Sequence, residues 1–502
     1  MDVLNNLIDG FQIALTFRNI YLCFIGVLWG TMVGVLPGIG PLVGITLLIP
    51  ATFGMDATGA IIMLAGIYYG AMYGGSTTSI LMNIPGEAAS VVTCLDGYQM
   101  TRKGRGGAAL FIAAWGSWIG GTLGVVALMF LAPFLASFAT KFGPPEMFAL
   151  LLIAFTMLGS LGKGSFFKSV PMIFLGLLLG TVGMDPLTGT MRFTHGIDDF
   201  YDGIGLLPVA IGAFGIGEVL HSAEENLVRI VHKVKLRELL PTREELRASL
   251  GPIIRGTGIG FIIGLMPGSA HVLSSFVSYA VEKRLAKRPE EFGTGRIEGV
   301  AGPETANNAA SQSAMIPFLG MGIPTGPATA VMMIALLIHG VRPGPLFITE
   351  QPLVFWGLVA SMYIGNVILL ILNLPLVGIF VNVLRIPFRI LFPLMLLICL
   401  VGTYAVNQSA VEMRILLVSG VMGYVFKKLD FDIAPFILAM LLGPTLENAL
   451  RWSLMRSAGS FVIFFKSPIA FTLIVVSCLL LIWNIYRAAR PKKAWEKALE
   501  EE

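Results

Sequence analysis

Long apolar runs separated by short polar segments dominate this chain. Runs at 20–50, 58–85, 107–139, 145–161, 168–184 and 204–220 fill its first half. Runs at 252–281, 305–341, 351–384, 388–406, 410–426, 431–446 and 457–486 fill the second. A helix of about 20 apolar residues crosses a bilayer, so most runs are long enough to span it. Several are too long for one crossing and carry Gly-Pro breaks. The pattern predicts an all-α polytopic membrane protein with about 11–14 membrane segments, including broken or re-entrant helices.

Composition agrees. Of 502 residues 55% are hydrophobic and 13% charged, whereas a soluble domain carries about 25% charged residues. The longest polar segment, 222–250, has no room for an ATPase or a soluble catalytic domain. Its basic stretch is interleaved with leucines at helical spacing, which fits a surface helix better than nucleic-acid binding. No His-Glu-x-x-His, Gly-x-Ser-x-Gly or Cys-x-x-Cys occurs, and the four cysteines are scattered. Neither an enzyme nor a metal centre is expected. Asp2, Asp9 and Arg18 around a short apolar stretch give no cleavable leader pattern.

Charge placement predicts orientation. Residues 101–105, 222–250 and 283–296 and the tail after Arg487 are basic, and basic segments stay cytoplasmic. Residues 185–203, with Asp185, Asp198, Asp199 and Asp202 against Arg192 alone, are expected outside.

The chain also repeats itself. Gly34-Val-Leu-Pro-Gly38 recurs 230 positions later as Gly264-Leu-Met-Pro-Gly268, and Asn83-Ile-Pro-Gly86 recurs as Gly322-Ile-Pro-Thr-Gly326. A run of small polar residues precedes each second motif: Gly74-Gly-Ser-Thr-Thr-Ser79 in one half, Glu304-Thr-Ala-Asn-Asn-Ala-Ala-Ser-Gln-Ser313 in the other. The helix after the first break ends without basic residues, and the helix after the second ends in Glu282-Lys-Arg-Leu-Ala-Lys-Arg288. Equivalent ends thus face opposite sides, as in two inverted-topology repeats. The expected organisation is a first transmembrane repeat at 1–221, a cytoplasmic basic linker at 222–250 and a second repeat at 251–450. A C-terminal membrane helix with a basic cytoplasmic tail follows at 451–502.

A proline breaks helical hydrogen bonds, and adjacent glycine lets the chain turn. In lipid the freed backbone groups are tolerated where protein or water meets them. Pro37, Gly38, Pro85, Gly86, Pro267, Gly268, Pro324, Thr325 and Gly326 therefore mark backbone expected to line a cavity. Half-helix N-termini there suit a carboxylate, and freed carbonyls suit a small cation. Ser76, Thr77, Asn83, Asn307, Asn308 and Ser311 are the neutral polar side chains beside the breaks. Glu87 and Glu304 are acids at membrane depth, candidates for holding a coupling cation or a proton. A helix-capping role for Glu87 stands beside that one.

At these motifs the chain resembles a known family. Gly34-Val-Leu-Pro-Gly-Ile-Gly-Pro41, Tyr73-Gly-Gly-Ser-Thr-Thr-Ser-Ile-Leu-Met-Asn-Ile-Pro-Gly86 and Asp96-Gly-Tyr98 are similar to the large membrane subunit (TctA type) of tripartite tricarboxylate transporters. So are Glu304-Thr-Ala-Asn-Asn-Ala309, Gly322-Ile-Pro324, Gly340-Val-Arg-Pro-Gly-Pro345 and Leu442-Gly-Pro-Thr-Leu-Glu-Asn448. Thr325 stands where glycine is expected after Ile-Pro. The resemblance implies a multi-pass subunit of the bacterial inner membrane that takes up citrate or related organic acids. It implies drive by a Na⁺ or H⁺ gradient, with no cofactor, and alternating access between the repeats. The implied partners are a small membrane subunit of about four helices and a periplasmic solute-binding protein. A gated carboxylate channel or a membrane acid sensor is the alternative from a different class.

Overall fold

The computed structural model describes residues 3–36, 40–139, 143–158, 166–185, 187–224, 239–266, 270–344, 346–383 and 388–489. They are almost wholly helical; the strands among them are a two-residue pair, Gly183–Met184 antiparallel to Met191–Arg192. Among the described residues five helices are long and apolar enough to cross a membrane: Phe17–Val35, Ala57–Met82, Gly106–Phe134, Pro352–Asn373 and Pro468–Tyr486. The chain is an all-α, multi-pass membrane protein.

It divides into two compact units. One joins Met1–Thr140 to Leu207–Tyr424, and the other joins Lys141–Leu206 to Val425–Glu502. Segments that the sequence assigns to both repeats and to the C-terminal helix thus assemble into the second unit. There the helix Phe166–Gly180 packs on Ala434–Arg456, and Pro144–Leu158 packs on Pro468–Ala489. Thr156 and Ser477 share a hydroxyl hydrogen bond of 2.8 Å. Asp185, Arg192, Glu447 and Arg451 form one ion network, with Arg451–Asp185 at 2.8 Å and Arg192–Glu447 at 2.9 Å.

The first unit carries the repeat. Its helices are α1 (Val3–Ala14), α2 (Phe17–Val35), α3 (Gly40–Leu48), α4 (Ala57–Met82) and α5 (Gly106–Ala139), followed by α6 (Arg243–Gly264), α7 (Ala270–Leu285), α8 (Glu298–Ser313), α9 (Pro327–Ile338) and α10 (Pro352–Asn373). α2 and α3 form a hairpin, tied by Trp29 Nε1 donating to the Gly44 carbonyl at 3.1 Å. α6 and α7 form its counterpart, tied by Arg255 donating to Glu282 at 2.8 and 2.5 Å.

Each hairpin's first helix then runs parallel to the helix that follows it. Gly26, Gly30 and Gly34 lie against the carbonyls of Met63, Ile67 and Ala71, and Gly256, Gly260 and Gly264 against those of Gly302, Ala306 and Ala310. A Cβ at any of these six would collide with backbone, so glycine every fourth residue is what lets the helices touch. Each hairpin tip therefore stops about halfway along its partner: Gly34 beside Ala71 of α4, Gly264 beside Ala310 in the stretch Glu298–Met321. α2 with α3, and α6 with α7, are thus helical hairpins, and the Gly-Pro pairs between them, Pro37-Gly38 and Pro267-Gly268, lie outside the described residues.

The third long helix of each half crosses over to the other. α5 runs parallel to α8, with Gly116, Gly120 and Gly124 stepping along Ala301, Thr305 and Ala309. α10 runs parallel to α4, with Gly357 by Thr58 and Gly365 by Tyr69. α5 and α10 run antiparallel, since Gly121 meets Asn366 while Ser117 and Leu110 share a cavity with Asn373. Hence α4 and α8 also run in opposite directions, and the halves are inverted.

The basic segments converge at one end of this unit. Lys103 Nζ donates to the Thr294 carbonyl at 2.6 Å, and Arg105 pairs with Glu245. Asp96 is fully buried and accepts from Tyr279 Oη (2.9 Å) and from the N–H groups of Gly293, Gly295 and Arg296 (3.0, 2.7 and 2.7 Å). The Asp96-Gly-Tyr98 motif is thus a clasp between the halves.

Candidate functional site

α4 and α8 are the most enclosed helices of the first unit. Every residue from Gly59 to Met82 is buried, as is every residue from Gly299 to Ser313. For α4 this follows from apolar and small side chains. For α8 it does not, because Glu304, Thr305, Asn307, Asn308, Ser311, Gln312 and Ser313 share one interior helix. Polar side chains at such a place need partners or a function.

Many of the partners come from the opposite half. Glu304 accepts from Ser76 Oγ at 2.5 Å and from Thr93 Oγ1. Glu87 accepts from Asn307 Nδ2 at 3.0 Å. Asn308 Nδ2 donates to Ser117 Oγ at 2.7 Å and to the Glu304 carbonyl at 3.1 Å, while Ser117 Oγ donates to that carbonyl at 3.2 Å. Each half thus supplies one carboxylate, and the other half supplies its donor. Both carboxylates are buried, and no Lys, Arg or His is paired with either among the described residues.

Backbone geometry brings Glu87 inward. Asn83 closes α4 in the left-handed conformation, φ 59°, a position that asparagine and glycine tolerate best. Pro85 and Gly86 then fold the chain back. Gly86 lies against the Gly34 carbonyl at the hairpin tip, and a Cβ there would also meet Gly75 Cα at 2.6 Å and Thr78 Oγ1 at 2.7 Å. Glu87 follows directly and starts the short turn Ala88–Ser90, its N–H donating to Ser90 Oγ at 3.3 Å. Glu87 thus stands at the start of that turn without a side-chain cap hydrogen bond, and its carboxylate meets Asn307 instead.

The candidate residues do not all gather here. Ser76, Thr77, Gly86, Glu87, Glu304, Asn307 and Asn308 belong to this interior cluster or line the cavity beside it. Ser311 is buried on α8 and bonds back to the Asn308 carbonyl at 2.9 Å. Asn83 is exposed, its place explained by the left-handed turn, and Pro85 is half-buried. Pro324, Thr325 and Gly326 start α9 after Gly322, which repeats the left-handed turn at φ 70°. Their side-chain hydrogen bonds stay local, Gly326 N–H to Thr329 Oγ1 at 2.9 Å and Thr325 to Thr329 at 3.4 Å. Pro37, Gly38, Pro267 and Gly268 lie outside the described residues.

Other residues of the cluster escaped the sequence. Thr93 and Ser117 are direct partners, and Tyr73, Asn366, Asn373 and Gln312 bring buried polar groups without partners. No group of three or more His, Cys, Asp or Glu able to hold a metal occurs among the described residues.

The comparisons with known proteins fit this architecture. The model of the tripartite tricarboxylate transporter TctA family matches residues 20–438. An uncharacterized 52.8 kDa protein in the TAR-I ttuC' 3' region of Agrobacterium vitis is 47% identical over 493 residues, 98% of each chain. An uncharacterized protein in the TAR-II ttuC' 3' region of the same organism is 45% identical over 234 residues, 97% of its length and 47% of this chain. No solved structure matches. With glycine-clamped hairpins, inverted halves and a shared polar interior in the matched span, the chain belongs to the tripartite tricarboxylate transporter TctA family.

Proposed function

We propose that this chain is the large membrane subunit of a secondary transporter that takes up tricarboxylates or related organic acids. A Na⁺ or H⁺ gradient drives it, and a periplasmic solute-binding protein delivers the substrate. A small membrane subunit of about four helices completes the complex in a bacterial inner membrane. The converging basic ends of α5, α6 and α7 support placing that end in the cytoplasm.

The observation that carries this reading is the reciprocal seating of Glu87 and Glu304 between two inverted halves, beside hairpin tips that stop mid-helix. Opposed half-sites are the natural basis of alternating access. Neutral hydroxyls and amides of the interior cluster hold an organic acid without a fixed cation that must later be separated from it. A cation arriving beside Glu87 or Glu304 offsets the charge that the acid brings.

Proteoliposomes containing the chain and both partners test this with radiolabelled citrate. Uptake is expected only under an inward Na⁺ or H⁺ gradient, with counterflow when unlabelled citrate is trapped inside. Uptake that ignores every gradient but requires ATP overturns the reading, and flux without counterflow turns it into a channel.

A further inference from the structure

Beside Glu304 the first unit encloses a cavity of about 10 Å³, with Tyr73, Ser76, Thr77, Ser117 and Asn373 on its polar wall. That is room for roughly one water-sized occupant. No basic residue lines it.

The groups around it present lone pairs with nothing to receive them. Asn373 donates its Nδ2 to the Leu369 carbonyl at 3.0 Å and leaves Oδ1 without a partner. Asn308 uses its Nδ2 on Ser117 and the Glu304 carbonyl and also leaves Oδ1 bare. The Tyr73 hydroxyl has no partner either. Ser76 donates its proton to the Glu304 carboxylate and keeps its lone pairs, whereas Ser117 donates to the Glu304 backbone carbonyl and accepts from Asn308, which leaves it one lone pair. Tyr73, Asn308 and Asn373 are 3%, 0% and 5% exposed, so bulk water satisfies none of them.

Buried oxygens in this state are costly, and the occupant that relieves them can be narrowed by chemistry. A proton on Glu304 removes the charge but leaves the amide oxygens bare. One water brings two protons and no charge. A divalent ion calls for more carboxylates than one. A dehydrated monovalent cation brings one positive charge against one carboxylate and accepts oxygen ligands from several directions.

We propose that this cavity binds one monovalent cation of the size of Na⁺, through oxygens of Tyr73, Ser76, Ser117 and Asn373, with Glu304, bonded to Ser76, as counter-charge. The ligands come from α4, α5 and α10 and the counter-charge from α8, so occupancy ties the two halves together. Unpartnered Gln312, one turn from Asn308 on α8, and Asn366, two turns from Asn373 on α10, face Gly124 and Gly121 of α5 and extend the polar file from the cavity. The ion's role in coupling rests on the transport reading above, whereas its binding does not.

The test uses the purified full-length chain in nanodiscs. ²²Na⁺ binding and thermal unfolding are measured while NaCl replaces choline chloride at constant ionic strength. Saturable ²²Na⁺ binding and a rise in Tm specific to NaCl are expected. Tyr73→Phe removes an unpartnered hydroxyl without changing shape. It is expected to leave the Tm in choline unchanged or higher, yet to raise the Na⁺ half-saturation about tenfold, the loss of one ligand bond to a charge. Asn373→Ala should act in the same direction. Equal Tm in both salts, no saturable ²²Na⁺ binding, or a Tyr73→Phe midpoint equal to wild type overturns the site. Uptake driven by a proton gradient in sodium-free medium overturns the ion's role in coupling while sparing the transport reading. Uptake indifferent to every gradient sinks that reading, and saturable ²²Na⁺ binding would still uphold the site.

Discussion

The hairpin-and-helix of the first half (α2–α4) and that of the second (α6–α8) share a backbone plan and differ in chemistry. Both clamp a re-entrant hairpin to a parallel helix with three glycines at intervals of four. Both follow that helix with a left-handed residue and Ile-Pro, Asn83-Ile-Pro85 in one and Gly322-Ile-Pro324 in the other. Yet α4 offers hydroxyls to the interior where α8 offers an acid and amides. The first half's loop also folds back into the site, while the second half's turns into α9. The duplicated part is therefore scaffold, and the unlike part is complementary: each acid finds its donor across the halves.

The largest effect should fall where the halves are most alike. Gly34→Ala and Gly264→Ala drive a Cβ into the carbonyls of Ala71 and Ala310, backbone that has nowhere to go. Each should cost about 3 kcal/mol or more, at the severe end of overpacking. Tm and size-exclusion profiles check this. If one half accepts alanine and the other does not, the scaffolds are not equivalent. Gly86→Ala, set against Gly34, Gly75 and Thr78, should abolish uptake as the inward loop is displaced, with the complex still assembling.

The second contrast lies in the reciprocal acids. Glu304 has two side-chain donors from the first half, Ser76 and Thr93, whereas Asn307 is the side-chain donor to Glu87. Asn307→Ala should cost about 1.5–3 kcal/mol, the worth of a hydrogen bond to a charged group, and Ser76→Ala about 1 kcal/mol because Thr93 remains. Unfolding titrations rank the two, and a reversed order would mean that the acids are not held as drawn here. Asn308→Ala frees Ser117 and should abolish uptake while assembly persists.

Sequence disclosed the scaffold better than the site. Gly-Pro pairs, a second copy 230 positions on and polar runs in apolar surroundings are local signals, and they point to the paired hairpins and to Glu87 and Glu304. Thr93, Ser117, Asn366 and Asn373 each stand among apolar or small neighbours, where they read as ordinary membrane-helix residues. Ser117, Asn366 and Asn373 matter because α5 and α10 cross to the opposite half, and Thr93 because its segment meets Glu304, facts of register that no local pattern carries. Asn83 shows the converse: its side chain reads as a donor, while the structure gives the position a left-handed backbone that closes α4. Asp96 is a similar case, a motif residue whose partners lie 183 to 200 positions away.

Smaller effects follow from the two left-handed turns. Asn83→Gly should change stability by only a few tenths of a kcal/mol, since glycine adopts φ 59° freely. Gly322→Ala should cost about 1–2 kcal/mol, from φ 70° in a residue with a Cβ. That Cβ would also meet the Pro343 carbonyl oxygen at 2.7 Å. Equal costs in denaturant unfolding would show that this difference between the halves is immaterial.

The smallest expected effects belong to the ion pairs that brace each half. Arg18 meets Asp56 at 2.7 Å with both side chains about half exposed, 58% and 47%. Such pairs contribute about 0–1 kcal/mol, so Arg18→Ala should shift unfolding barely beyond error and vanish in high salt. Arg255 meets Glu282, whose side chain is 3% exposed, although the arginine itself is 42% exposed. Solvent screening on that side brings the expected cost of Arg255→Ala to about 1 kcal/mol. It should persist in high salt, because the carboxylate left behind cannot reach water without opening the α6–α7 hairpin. A salt titration of both variants separates the cases. If Arg255→Ala is as salt-sensitive as Arg18→Ala, the second hairpin is looser than its close packing against α8 implies.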